Sequence, residues 1–308
     1  MSDHIPYSGG KIDKPGIYSG LPITAYHSDS CIGPSISSGG LRTLDSVSPA
    51  HYWATSYLNP NRVHQEDKDA FNLGRAAHTL ILGEDGFKRD YVIRPDFWDS
   101  WRTKEARVWR DEQKLAGLTV LEPSHIDQIR GMAAALALHP TVQAGLLNGE
   151  VERSIVWKDA KTGIWLKARP DVLPVDSNMI VDLKTTSSAD AVSVRRSIAD
   201  YGYHMQLALA FEGMKAVTGR QMTDFVLVFV ETKLPYAVNI KPLDIADIIF
   251  GRRQIRRAID RFAECLKSCS WPAYDDDEVT ASLPSYYRQR LDHEAEAGLL
   301  PALEDAWT

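Results

Sequence analysis

Two aspartates and a lysine stand at a spacing that could build a catalytic site. Asp171 and Asp182 lie eleven positions apart, and Lys184 follows two positions after the second acid. Short apolar runs of strand type border both acids, and residues 174–178 supply a turn between them. The pattern predicts a β-hairpin that brings the two acids to neighbouring positions, with Asp182 and Lys184 on the same side of its second strand.

Two carboxylates and an ammonium group at one point suit a divalent metal ion, because without a cation the two acids would repel each other. Mg²⁺ takes oxygen ligands and is usually held by one or two carboxylates together with substrate phosphate. The ion polarises a phosphoryl oxygen, and a nearby lysine orients the attacking water or stabilises developing charge. The pattern therefore favours a metal-dependent phosphodiesterase. The plain structural alternative is a solvated strand end that carries Asp182 and Lys184, with Asp171 in a turn after Pro170.

The composition is ordinary for a folded soluble protein with a sizeable core, since 44% of the 308 residues are hydrophobic and 25% are charged. No apolar run approaches the roughly 20 residues of a membrane span, and we expect no membrane association. Three cysteines, Cys31, Cys265 and Cys269, are too few for a disulfide framework and suit a reducing cytoplasm. The net charge of −6 excludes a surface coated with phosphate-binding groups, although a local basic groove would still admit nucleic acid.

Periodicity divides the chain into an arm, one domain and a tail. Residues 1–40 are rich in Gly, Pro and Ser and predict an extended arm, whereas residues 271–308 are acidic and weakly periodic and predict a tail. Residues 41–270 predict a single domain, helical over 41–148 and sheet-forming over 149–270. The second part predicts a three-stranded meander, two helices, two further strands and a long helix. A mixed sheet between helices, an α/β fold, is the natural packing of this order.

Three weaker candidates could join the acids. Glu152 opens the first strand of the meander, where its carboxylate could face the hairpin. His78 lies on a helix and could be a further metal ligand, although a lone helical histidine is more often a satisfied core or surface residue. Gln206 lies on the helix that follows the site, where an isolated glutamine is usually structural.

Taken together, these residues resemble the PD-(D/E)xK nuclease superfamily. Within it, the chain is similar to RecB-type nucleases and to phage or prophage exonucleases of the exonuclease VIII (RecE) and lambda exonuclease kind. The resemblance is carried by Asp171, Asp182 and Lys184 for the motif that names the superfamily, by residues 73–80 with Gly74 and His78 for its Gly-x-x-x-His helix, by residues 203–208 for its glutamine motif, and by residues 36–41 for proteins of the RecE kind.

The resemblance implies a restriction-endonuclease-like core, with a central mixed sheet flanked by helices, and a set of roles. The implied catalytic residues are Lys184, Asp171, Asp182, Glu152 and Gln206; the metal ligands are His78, Asp171, Asp182 and the carbonyl of Leu183; the DNA-binding residues are Arg75, Arg169, Arg195 and Arg196. In these roles Lys184 would position or activate the attacking water, and Gln206 would orient Lys184 or a phosphate. Ala210 stands where the family often has a tyrosine after the glutamine, and Tyr201 and Tyr203, on the other side, are candidates to replace it.

The implied activity is exonuclease digestion of linear double-stranded DNA, 5′-to-3′, in phage-type recombination. Mg²⁺ would be the cofactor, with Mn²⁺ as a substitute. The implied partners are double-stranded DNA ends, a single-strand annealing protein and further copies of the chain in a ring-shaped homo-oligomer, a trimer or a tetramer, in the cytoplasm of a bacterial host cell. Two alternatives stay open: a structure-specific or single-strand endonuclease of the same fold, and a catalytically silent DNA-binding protein.

Overall fold

The computed structural model describes residues 4–63, 69–83, 86–175, 177–274, 280 and 282–301. The strands in these residues are β1 (His4–Pro6), β2 (Gly16–Ser19), β3 (Ser35–Ser37), β4 (Tyr91–Ile93), β5 (Thr119–Leu121), β6 (Gly149–Val151), β7 (Ser154–Lys158), β8 (Trp165–Ala168), β9 (Val172–Pro174), β10 (Met179–Thr186), β11 (Asp224–Glu231) and β12 (Val238–Pro242). The helices are α1 (Ile23–Tyr26), α2 (Ser38–Ser46), α3 (Pro49–Thr55), α4 (Asp69–Ile81), α5 (Phe87–Asp90), α6 (Lys104–Leu115), α7 (Pro123–Leu138), α8 (Pro140–Gln143), α9 (Ala191–Asp200), α10 (Tyr203–Thr218), α11 (Ile245–Ser268) and α12 (Ser285–Glu296).

Contacts divide the chain into two compact units, Met1–Ala273 and Tyr274–Thr308. The first unit contains every element of the candidate site, and α12 lies in the second. Among the described residues, no helix combines the length and the apolar character that crossing a bilayer would require.

Two mixed sheets form the centre of the first unit. Sheet 1 has the strand order β1-β2-β7-β8-β3, and sheet 2 has the order β12-β11-β10-β9-β6. In sheet 2, β10 and β11 run parallel along their whole length, with α9 and α10 as the crossover between them. Mixed sheets flanked by helices confirm the α/β class that the order of elements predicts.

Side chains alternate between the two faces of sheet 2, and this alternation determines which helices Asp182 and Lys184 face. One core, beneath α10 and α11, takes Phe225, Leu227 and Phe229, and the other, beneath α4 and α7, takes Val226, Val228 and Val230. On β10, Ile180 belongs to the first core, whereas Val181 and Leu183 belong to the second. Because successive side chains of a strand point to opposite faces, Asp182 and Lys184 lie on the α10 side, as their spacing predicts.

The strands before the acids cross from one sheet to the other, which corrects the predicted three-stranded meander. The first strand breaks at Glu152, whose φ of 53° departs from extended backbone, and the second breaks at Pro170, which has no N–H for a ladder. The outer halves, β7 and β8, pair in sheet 1, and the inner halves, β6 and β9, pair in sheet 2. We call residues 152–153 and 169–171 the crease. Across it, the Glu152 N–H donates to the Asp171 carbonyl at 3.0 Å.

The first forty residues differ from the predicted extended arm, because the described ones join sheet 1. β2 pairs antiparallel with β7, and β3 pairs parallel with β8. Apolar side chains of this segment, including Ile12, Tyr18 and Leu21, form a third core with Val156 and Trp165. The sequence predicts little structure here because these strands are only three or four residues long and are punctuated by Gly, Pro and Ser.

Two cations on and after β8 hold the N-terminal segment against the sheet. Lys167 donates from Nζ to the carbonyls of Tyr26 and Ser28, and burial lowers the pKa of this lysine to about 8. Arg169 donates from Nη2 to the Leu21 carbonyl at 2.6 Å, and its guanidinium lies 4.5 Å from the centre of the Tyr26 ring. The segment that contains α1 is therefore fixed beside the crease.

Replacing Gly251 with alanine is expected to lower the free energy of unfolding by about 1–3 kcal/mol. A Cβ at this position of α11 would lie 2.6 Å from the carbonyl oxygen of His204, a backbone atom near the start of α10, so the two helices would have to separate. Chemical denaturation measures the change. Gly39→Ala on α2 is the matched control, since a Cβ added there would meet no neighbouring atom within 4 Å. An equal loss in both variants would contradict the close-approach explanation.

Candidate active site

The two aspartates lie side by side, Asp171 directly before β9 and Asp182 on β10. Val172 of β9 pairs with Val181 of β10, so Asp171 and Asp182 flank this register position. Asp171 Oδ2 accepts a hydrogen bond from the Leu183 backbone N–H at 2.6 Å. Both acids are buried, with exposed fractions of 6% for Asp171 and zero for Asp182. The hairpin predicted from the apolar runs therefore brings the acids together.

Lys184 and Gln206 complete a polar group around Asp182. The Lys184 ammonium contacts Asp182 Oδ2. Gln206 donates from Nε2 to Asp182 Oδ1 at 2.7 Å, and its Oε1 accepts from Lys184 Nζ at 3.2 Å. Gln206 reaches them because it lies in the first turns of α10, which packs on this face of β10. One glutamine thus orients both the carboxylate and the ammonium group.

A second polar group meets the first at Asp171. His78 of α4, Glu152 of the crease and Asp171 offer ligand atoms that all lie within 4.8 Å of one another. His78 Nδ1 lies 3.4 Å from Asp171 Oδ2. Asp182 lies outside this trio and adjoins it through Asp171. The structure therefore gathers the predicted residues His78, Glu152, Asp171, Asp182, Lys184 and Gln206 into one continuous cluster.

Burial and neighbouring charges shift the pKa values of the two aspartates in opposite directions. Burial and the neighbouring Asp171 carboxylate raise the pKa of Asp182 to about 6, although Lys184 opposes the rise. Burial alone would also raise the pKa of Asp171, but the His78 ring, Lys184 and the Leu183 N–H together hold it below its usual range. Two adjacent carboxylates with separated pKa values are typical of functional sites.

The two basic groups are charged more readily than usual. Burial alone would lower the pKa of Lys184, but the carboxylates of Asp182 and Asp171 raise it above its ordinary value. Burial alone would likewise lower the pKa of His78, and the Asp171 carboxylate reverses this so that the net shift is upward. The two acids therefore already attract the nearest cationic groups.

The donor set fits a divalent cation. Asp182 Oδ2 is buried and, although it contacts the Lys184 ammonium, it has no hydrogen bond of acceptable geometry within the described part of the chain. The carboxylates supply the hard oxygen ligands that Mg²⁺ and Mn²⁺ prefer, and an imidazole such as that of His78 binds several other divalent transition metals. A cation among these residues would also relieve the repulsion between Asp171 and Asp182.

A cleft of about 310 Å³ opens onto this cluster. Its lining residues are Ile23, Tyr26, His27, Ser37, Ser38, Gly39, Arg42, Glu152, Arg169, Asp171, Tyr201, Gly202 and Gln206. Asp171, Glu152 and Gln206 are the cluster members that face the cleft, whereas Asp182 lies behind them. The N-terminal segment supplies one wall of the cleft, and the beginnings of α2 and α10 supply others.

The sequence from residue 37 to residue 279 matches the model of a family described as a PDDEXK-like domain of unknown function (DUF3799). The chain belongs to this PDDEXK-like family. The superfamily inferred from Asp171, Asp182 and Lys184 is thereby confirmed. The comparison with curated proteins found no match.

A comparison with solved structures found similar proteins at low sequence identity, one of them with a TM-score above 0.5. The "Putative exonuclease" of Eubacterium rectale is 12% identical, with 87% of this chain and 94% of that chain covered and a TM-score of 0.54. An alkaline exonuclease from Laribacter hongkongensis is 15% identical over 63% of this chain and 91% of its own, with a TM-score of 0.24. A phage related exonuclease from Haemophilus somnus is 12% identical over 68% and 98%, with a TM-score of 0.30.

The four arginines predicted to bind DNA differ in their surroundings in this PDDEXK-like domain. Arg169 lines the cleft, but its Nε donates to Ser154 and its Nη2 to the Leu21 carbonyl, so it also holds the cleft wall. Arg75 is exposed on α4, where it donates to Asn72. Arg195 and Arg196 lie on α9 and are not among the lining residues. DNA binding by these side chains stays a prediction, as does a metal contact of the Leu183 carbonyl.

Several cleft residues were not assigned a role from the sequence. His27 lies in the wall, and burial together with Lys167, Arg169 and Arg75 lowers its pKa to about 4, which keeps it neutral. Ser37 is the N-cap residue of α2 and Ser38 is its first residue, and no side-chain hydrogen bond caps that helix. The Ser-Ser-Gly-Gly sequence at residues 37–40 could have indicated that this segment belongs to the site. The prediction that residues 1–40 form an extended arm placed it outside the site instead.

Proposed function

We propose that the chain is a metal-dependent deoxyribonuclease that digests linear double-stranded DNA from its ends in the 5′-to-3′ direction. The observation that carries the proposal is the buried Asp171–Asp182 pair on adjacent strands, with Lys184 in contact with Asp182. Burial and mutual repulsion both disfavour the ionised forms of such a pair, so it is costly to keep without a cation to bind. Membership of the PDDEXK-like family supports the same reaction class.

Four side chains would hold the divalent ion: His78, Glu152, Asp171 and Asp182. Mg²⁺ is the proposed cofactor, with Mn²⁺ as a substitute; when bound, it would polarise a phosphoryl oxygen and lower the pKa of a bound water. Two further side chains would stabilise and orient the reacting groups. Lys184 places a positive charge where it stabilises negative charge on phosphate oxygens, and Gln206 fixes the direction of that ammonium group.

The biological setting is proposed on the family resemblance. The chain would act in phage-type recombination, in the cytoplasm of a bacterial host cell, and deliver single strands to an annealing protein. A ring-shaped homo-oligomer, a trimer or a tetramer, would hold the DNA. Light scattering of the purified protein, which gives the molar mass in solution, tests the oligomer separately from the reaction.

The reaction is tested with labelled DNA. We expect that, with Mg²⁺, linear duplex labelled at the 5′ ends releases labelled mononucleotide from the first turnovers, whereas duplex labelled at the 3′ ends releases its label late. Covalently closed circular duplex should stay intact. Chelation with EDTA should stop digestion, and Mn²⁺ should restore it.

Each alternative has its own outcome in this assay. Cutting of the closed circle would show that the protein is not an exonuclease but a structure-specific or single-strand endonuclease of the same fold. Early release of the 3′ label would show that digestion runs in the 3′-to-5′ direction. Absence of hydrolysis with either metal, together with DNA binding in a gel-shift assay, would establish a catalytically silent DNA-binding protein.

A further inference from the structure

Lys184 has an aromatic partner besides its polar ones. The Nζ of Lys184 lies 4.5 Å from the centre of the Tyr203 ring, well inside the range of a cation–π contact. The Lys184 side chain is only 16% exposed, so water screens this contact weakly. Tyr203 therefore closes one side of the space that the ammonium group occupies.

The Tyr203 ring contacts two aromatic neighbours. It packs against Phe229 with ring centres 6.2 Å apart, and Phe229 is the residue that pairs with Lys184 across β10 and β11. Tyr201 stacks against it, with ring centres 5.7 Å apart. Tyr203 and Gln206 lie three positions apart on α10, which puts them on one face of the helix. The same helix end thus presents both an amide and a ring to Lys184.

The contact between the Tyr203 ring and Lys184 matters most when a metal ion is bound at the acids. Asp182 Oδ2, the oxygen that contacts Lys184, is buried and has no hydrogen bond to the described residues, so its remaining lone pair is left for a metal ion. A divalent ion there would share the carboxylate with Lys184 and repel its ammonium group. Gln206 would still be shared with Asp182, whereas the Tyr203 ring contacts the ammonium group directly and needs neither carboxylate to do so.

We infer that Tyr203 is a positioning residue for Lys184, and that its ring keeps the ammonium group beside the substrate phosphate when metal occupies the acids. The inference rests on the proposed nuclease function and adds a residue to it.

A series at one position tests the ring and its electrons separately. Tyr203→Leu is expected to lower kcat about tenfold with little change in KM, whereas Tyr203→Phe should keep wild-type kcat. Phenylalanine carrying three fluorine atoms at position 203 keeps the shape but withdraws electrons from the face, and kcat should fall between the two. The control is Phe211→Leu, eight positions after Tyr203 on the same helix, which removes the cation–π contact with Arg252 and should leave kcat unchanged.

A second measurement does not need activity. With Mn²⁺ present, acetylation of Lys184 followed by peptide mass spectrometry should be several-fold faster in Tyr203→Leu than in the wild type, and unchanged in Tyr203→Phe. Equal kcat and equal acetylation across the series would overturn the role of Tyr203 while the nuclease proposal stands. A wild-type protein without nuclease activity would instead remove the proposed function, and the acetylation rates would still report whether the ring holds the lysine.

Discussion

Replacing Asp182 with asparagine is expected to lower DNA cleavage about a thousandfold or more while the metal-free protein unfolds at the same or a higher temperature. The reason for the first effect is the loss of a proposed metal ligand next to Lys184. The second effect follows from burial, because asparagine resembles the neutral form of Asp182 and keeps an oxygen for the Gln206 amide. Loss of function and loss of stability would thus be separated in one variant.

The sign of the stability effect comes from the pKa of Asp182. The folded protein raises that pKa from 3.8 to about 6, so the ionised carboxylate is less favourable in the folded state than in the unfolded chain. Its contribution to stability therefore falls as the pH rises from about 4 through 6, and above that range it costs on the order of 1–3 kcal/mol. Asp182→Asn removes this pH dependence. Thermal unfolding in EDTA at pH 4, 6 and 8 measures it.

The matched control for this variant is Asp224→Asn. Asp224 is an exposed aspartate at the start of β11, hydrogen-bonded to Thr223, and its replacement should change neither cleavage nor the pH dependence of unfolding. If Asp182→Asn cleaved DNA at the wild-type rate, the role of Asp182 in the site would be contradicted. A clear drop in its unfolding temperature at pH 8 would show instead that the buried charge stabilises the metal-free fold.

Replacing Lys184 with methionine is expected to abolish cleavage as well, but with the opposite effect on stability. Metal binding should persist, since Lys184 is no ligand. The metal-free variant should lose about 3 kcal/mol at pH 8, because Asp182 would stay buried without its cationic partner. At pH 5 the deficit should shrink, since protonation of Asp182 removes the uncompensated charge.

Denaturant titrations at pH 5 and pH 8, with and without Mn²⁺, measure these changes. Calorimetric titration of Mn²⁺ checks that the ligands are intact. Lys241→Met, at an exposed lysine of β12, is the control for the loss of one positive charge. Retention of wild-type cleavage by Lys184→Met would contradict the role given to the ammonium group, and an equal deficit at both pH values would contradict the explanation through Asp182.

The hairpin and its polar residues could be predicted because they depend on local patterns. Alternation along β10 places Asp182 and Lys184 on one face, and the apolar runs around both acids define two adjacent strands. The sequence also places Gln206 on a helix that follows the site, and α10, Tyr203–Thr218, is that helix. Neither inference requires knowledge of distant contacts.

The division into two sheets could not be predicted in the same way. The strand around Glu152 reads as continuous in the sequence, and only its pairing partners show that it breaks. The strands β2 and β3 are likewise defined by partners more than a hundred residues away, such as Ile155 opposite Ile17. The cleft wall at His27 was missed for this reason, because its place depends on Lys167 and Arg169 holding the segment against β8.

The pairing of β2 with β7 has a practical consequence for anyone who wishes to work with a smaller fragment. A protein trimmed to the family match would begin at residue 37 and lose β1, β2 and most of β3. Both β7 and β8 would then become open sheet edges, and their unpaired backbone groups would invite neighbouring molecules to add strands. Such a fragment is expected to precipitate rather than yield a minimal enzyme.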